Sequence, residues 1–116
     1  MYSITAALVA WLRGAGYAAY ARPRKEMPVE FVTVERQGGP VTDMVDHPTV
    51  AVQTWAPTEE RSEQMALEIR AMARVGPLPE GVSRIDVNAG PYPFYDEGTR
   101  CPRHQLVLDV TSRLTN

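Results

Sequence analysis

An α+β domain, with two helices packed on a mainly antiparallel four-stranded sheet in the order α-β-β-α-β-β, is the fold this sequence predicts. Three observations carry the prediction. Two segments set apolar residues at helical spacing, four alternate them with period two, and the 116 residues divide at no linker, repeat or low-complexity tract. Residues 1–116 therefore read as a single domain, long enough to bury roughly two-thirds of its unfolded surface without disulfide or metal staples.

The first helix covers residues 4–13. Ile4, Leu8, Trp11 and Leu12 share one face behind a Ser3 cap, and Gly14 or Gly16 supplies the stop. Arg22-Pro23-Arg24-Lys25 resists regular structure and reads as a solvated connector. Residues 29–36 form a β-branched strand with apolar groups on both faces, ended by Gln37-Gly38-Gly39-Pro40. A second strand runs from about residue 48 to 55, with Val50 and Val52 in alternation. Residues 41–47 between them are too long for a two-residue turn from strand to strand. They are either an extension of the strand pair beyond the globule or a loop with a binding task.

Pro57-Thr58-Glu59-Glu60 opens the second helix, which puts Met65, Ala66, Ile69, Met72 and Ala73 on one face and stops at Val75-Gly76-Pro77. Glu59, Glu60 and Glu63 sit at its positive end and Arg70 and Arg74 toward its negative end, each worth a few tenths of a kcal/mol. Residues 83–89 alternate as a half-buried strand, which Gly90-Pro91-Tyr92-Pro93-Phe94-Tyr95 then interrupts. The last strand, residues 105–114, sets Leu106, Leu108 and Val110 against polar neighbours.

Twelve basic and fourteen acidic residues leave a net charge of -2, which excludes the broad positive field of a protein that coats nucleic acid. Eleven of the twelve basic residues are Arg, a skew that fits a GC-rich genome. A single Cys101 excludes an internal disulfide, and no apolar run reaches the roughly 18 residues that span a bilayer, so no membrane partner is expected. The start lacks a basic region ahead of its apolar run, so no secretory signal is expected either.

No assembled active site is legible. Cys101 and His104 make only half of a zinc motif, and residues three apart on a strand face opposite ways. A Cys101 nucleophile lacks a local signature, His104 reads as a strand-edge polar group, and Asp43, Asp46 and His47 read as turn chemistry. Phosphate-loop, GxSxG and HExxH patterns are absent from the sequence. We therefore expect no catalytic residues, no metal and no cofactor. Two segments are instead too apolar for loops, one with Val41, Met44 and Val45 and one with Tyr92, Phe94 and Tyr95, and they are either contact surface or satellite core clusters folded back under their own loops. Aromatic residues and Arg are enriched where proteins bury surface against each other.

Gly38-Gly39, Asp43-Met44-Val45-Asp46, the strand from Val50 through Ala56, the helix over residues 60–74, Gly90-Pro91, and the close Pro102-Arg103-His104-Gln105-Leu106-Val107-Leu108-Asp109-Val110-Thr111 form an ordered set. That set resembles the tail terminator proteins of long-tailed bacteriophages and prophages of high-GC Gram-positive hosts, from about residue 28 onward. No single motif is diagnostic. The resemblance implies a structural protein of the virion tail-neck junction, made in the host cytoplasm, not an enzyme. It implies a homo-hexameric ring that caps the tail tube protein, stops elongation and joins a head-completion or connector protein, while DNA passes through without specific binding. The interface candidates are Arg36, Val41, Asp43, Met44 and Asp46 in one segment and Tyr92, Phe94, Tyr95 and Arg100 in the other. Cys101 and His104 depart from the family pattern. The alternatives are another neck or connector subunit, or a small nucleic-acid-binding module that stacks bases on Tyr92, Phe94 and Tyr95, with Arg100 and Arg103 on phosphate.

Overall fold

The computed structural model describes residues 2–42, 44–94 and 101–113, and these form two helices and seven strands. Helix α1 is Ile4–Gly14, with the Ser3 hydroxyl accepting from the Ala6 amide. Helix α2 is Glu59–Val75, with the Thr58 hydroxyl accepting from the Arg61 amide at 3.1 Å. The strands are β1 Ala19–Tyr20, β2 Phe31–Gly38, β3 Val41–Thr42, β4 Val45–Asp46, β5 Thr49–Trp55, β6 Val82–Pro93 and β7 Arg103–Arg113.

The expected four-stranded antiparallel sheet is corrected to a mixed, seven-stranded one, ordered β1-β2-β5-β7-β4-β3 with β6 on the other margin of β7. Two physical causes account for the difference. Ala19 and Tyr20 run parallel to β2, opposite Val32 and Thr33, a pairing two residues long that carries no periodic signal. The segment after β2 does not loop away but continues as β3 and returns as β4, with Val41 opposite Asp46 and Thr42 opposite Val45. Of the two readings open for this segment, the strand extension holds.

The β6 boundary is also corrected. Residues 90–93 do not interrupt the strand: it runs on to Pro93, with Tyr92 opposite Gln105 and Pro93 opposite His104. Pro91 and Pro93 are tolerated because β6 is an edge strand, and one of its three register shifts, between Ala89 and Tyr92, brackets Pro91.

Both helices cover one face of the sheet. Val32 and Val34 of β2, Val50 and Val52 of β5, and Leu106, Leu108 and Val110 of β7 point at Ile4, Leu8 and Leu12 of α1 and Met65, Ala66 and Ile69 of α2, all of them buried. This is the period-two alternation of three strands meeting the 3.6-residue stripe of two helices. Tyr17 ties α1 to α2 through its hydroxyl, which donates to Glu68 at 2.6 Å, and Arg61 of α2 binds Glu30 at 2.9 Å.

Candidate functional site

The arm formed by β3 and β4 is built at its base by charge. Arg36 donates from both terminal nitrogens to Asp46, at 2.6 and 2.7 Å, and reaches the Gly38 and Gly39 carbonyls at 3.2 and 3.4 Å. Asp46 is 1% exposed, so its charge is held by this bidentate contact rather than by water. Gly39 stands at φ +111, and a Cβ there would collide with the His47 carbonyl, so the two sides of the arm close only on a glycine. Nearer the tip, the Thr42 hydroxyl and His47 Nε2 share a 2.8 Å hydrogen bond.

At the tip the chemistry changes. Val41 is 57% exposed and Met44 is 77% exposed. Met44 also holds a left-handed backbone, φ 66, which costs a residue other than Gly, Asn or Asp about 1 kcal/mol. The molecule measures 42 × 29 × 25 Å, elongated along one axis.

The second candidate segment lies elsewhere. Along β7, β4 is opposite Ser112 and Arg113, whereas Tyr92 and Pro93 are opposite Gln105 and His104, about 23 Å away for seven residues of strand. The structure therefore brings Arg36, Asp46, Val41 and Met44 together at one end of the sheet and Tyr92 and Phe94 at the other. Asp43, Tyr95 and Arg100 lie outside the described residues.

Tyr92 and Phe94 belong to an ordered layer on the sheet face that the helices leave open. Phe31 stacks on Trp55 with centroids 5.2 Å apart and planes 13° from parallel. The Arg103 guanidinium lies 4.3 Å from the Trp55 ring and 4.3 Å from the Phe94 ring, and its Nε donates to the Phe94 carbonyl at 3.0 Å. One row along, Gln53 donates to Gln105 at 2.7 Å and Gln105 to the Tyr92 hydroxyl at 2.5 Å, while the Trp55 indole donates to Thr33 at 3.2 Å. A broad groove of about 1480 Å³ follows this layer and continues along β2 as far as Arg36, with Arg22 and Pro23 also lining it. Arg103, offered from the sequence as a phosphate contact, is 8% exposed and occupied between two rings.

The other chemistry-bearing residues are engaged within the fold. His104 is buried rather than at a strand edge, because β7 turns it under α2, where Nδ1 lies 2.6 Å from the Ser62 hydroxyl. Glu63 approaches Nε2 at 3.7 Å, so serine, imidazole and carboxylate stand in a row, yet Ser62 is 0% exposed and no substrate carbonyl reaches it. The Cys101 thiol points to the Ala56 carbonyl at 3.8 Å instead of joining His104. Among the described residues, no three His, Cys, Asp or Glu side chains converge on a metal position. Also among the described residues, no helix is long and apolar enough to cross a membrane.

Sequence reasoning named Arg36 and Asp46 separately and missed that they pair. Their spacing of ten carries no signal unless the hairpin register is known, because only that register sets them at neighbouring positions. It also missed the Trp55–Arg103–Phe94 sandwich, because the last strand was read from residue 105, two residues after the Arg103 that pairs with Trp55.

A scan against protein-family models finds no match, and no curated protein matches the chain.

Proposed function

We propose that this chain is a structural ring subunit of the tail terminator kind. Copies close a hexameric ring on the end of a phage tail tube, arrest its elongation and offer the joint for a head-side connector, in the virion and without catalysis. Met44 carries the reading. A methionine held in left-handed backbone and 77% exposed gains little packing inside its own chain, and strain of this kind suits a position kept for an external contact. A head-to-tail ring needs two unlike surfaces on each copy, and the arm tip and the open sheet face at the opposite end are two such surfaces. In this arrangement Val41 and Met44 of one copy reach the groove of the next, where Trp55 and Phe94 supply aromatic surface.

The test is genetic and structural together. Particles assembled without this protein are expected to show tail tubes of uncontrolled length or heads left unjoined in negative-stain images, and normal virions would reject the proposal. Met44→Asn suits the left-handed backbone better, so it is expected to leave the isolated chain as stable or more stable by up to about 1 kcal/mol while weakening ring formation.

A further inference from the structure

Among the described residues no strand pairs with the outer edge of β6, and the chemistry of that edge is specific. The Val110 amide of β7 donates to the Pro48 carbonyl, on the side away from β6, at 2.9 Å. In an antiparallel pair this fixes the alternation: Val110 and Leu108 turn their main-chain groups from β6, and their partners Ile85 and Val87 turn theirs from β7. Ile85 and Val87 thus present an N–H and a C=O each to the free margin, spaced as an added strand requires. The stretch Arg84–Val87 between register shifts at Val82/Arg84 and Val87/Ala89 is regular, so the edge is usable for a short length.

Above this edge run Arg70 and Arg74 of α2, which with Ile85, Asp86, Val87 and Gly90 line a groove of about 450 Å³. Neither arginine meets a carboxylate among the described residues, and the one acid in the groove, Asp86, is taken by Arg84 at 2.8 Å. Two like charges one helical turn apart oppose each other by a few tenths of a kcal/mol. Four residues of helix rise about 6 Å, and side chains on the same face of a strand recur about every 6.7 Å. Carboxylates at alternate positions of a strand added to β6 are therefore spaced to meet both guanidinium groups.

We infer that the β6 edge, with Arg70 and Arg74, docks a short extended acidic segment of a partner protein by strand addition. Main-chain bonds to Ile85 and Val87 supply the seat, and charge-assisted bonds from the two arginines select the acidic face. The site is independent of the ring contacts proposed above.

The probe is a capped heptapeptide of alternating Glu and Val, titrated into the full chain with the backbone amides followed by NMR. The expected result is saturable binding that perturbs Ile85 and Val87 first, weakens with added salt, and falls roughly tenfold or more for the same peptide with Gln in place of Glu. The variant carrying Arg70→Gln and Arg74→Gln should lose affinity to the same degree. If that variant does not fold, the Gln peptide on the native chain decides alone. Equal binding of the two peptides, perturbation mapping to another surface, or no saturation at millimolar peptide would overturn the site.

Discussion

Single residues test how the arm is held. Arg36 keeps about a quarter of its side chain in water, whereas Asp46 keeps almost none, so the two halves of the pair are not equivalent. Removing the arginine takes the bidentate contact away from a buried carboxylate, and Arg36→Met is expected to destabilise the chain by about 3 kcal/mol in urea unfolding. Removing the acid leaves a guanidinium that swings into solvent, and Asp46→Ala is expected to cost about 1 kcal/mol. Equal losses would mean that the carboxylate is satisfied without its partner. A second residue makes a pH prediction. Burial, then the hydrogen bond to Glu68, raises the Tyr17 phenol above its ordinary value of about 10, which favours the protonated form in the folded chain. The folded state therefore holds a proton that the unfolded state releases. The stabilisation is complete below about pH 10 and declines as pH rises beyond it. Tyr17→Phe should flatten that alkaline decline in a series of melts, and an unchanged slope would assign it to other groups.

At the scale of elements, the arm is a hairpin whose closure depends on one glycine. Gly39→Ala puts a methyl group against the His47 carbonyl in a backbone region that alanine disfavours. It is expected to raise amide exchange across residues 41–47 by tenfold or more, roughly the 1.4 kcal/mol or more such strain carries, while β7 and α2 exchange as before. Loss of protection throughout the chain would show the arm to be part of the global fold. This element also marks the limit of what patterns revealed. Both helices were legible because their caps and apolar stripes are local features: Ser3 and Thr58 are the caps, and Met65, Ala66 and Ile69 are the buried face. The strand cores at Val50, Val52, Leu106 and Leu108 were legible for the same reason. The short strands β1, β3 and β4 were not, since two residues hold one period of alternation and their pairing depends on a register fixed elsewhere. Prolines concealed the end of β6, because their exclusion from sheets applies to interior strands and β6 is an edge. Of the site, Val41 and Met44 stood out as apolar residues in a loop-like segment, but whether they face water or fold back on the core depends on non-local packing that the pattern left open. The aromatic layer around Arg103 is a non-local pairing that strand alternation leaves unassigned.

At the scale of the whole molecule, the two candidate surfaces stand at opposite ends of one sheet, joined by the uninterrupted ladder of β5 on β7 from Thr49–Asp109 to Trp55–Arg103. The proposed assembly joins these unlike ends head to tail, and closure into a ring rather than a filament is then set by the angle between them. Charge at the arm tip isolates this function from folding. Val41→Asp with Met44→Asp alters only exposed side chains, and the monomer's unfolding free energy is expected to change by no more than about 0.5 kcal/mol at residue 41 and to stay equal or rise by up to about 1 kcal/mol at residue 44, where Asp suits the left-handed backbone. Native mass spectrometry of the full chain across rising concentration tests the account most directly. The prediction is a species of six times the 12.9 kDa chain mass that grows with concentration and disappears in the Val41→Asp, Met44→Asp protein at unchanged fold. A native chain that stays at single-chain mass to the highest concentration, or a doubly substituted chain that assembles as well as the native one, would contradict it.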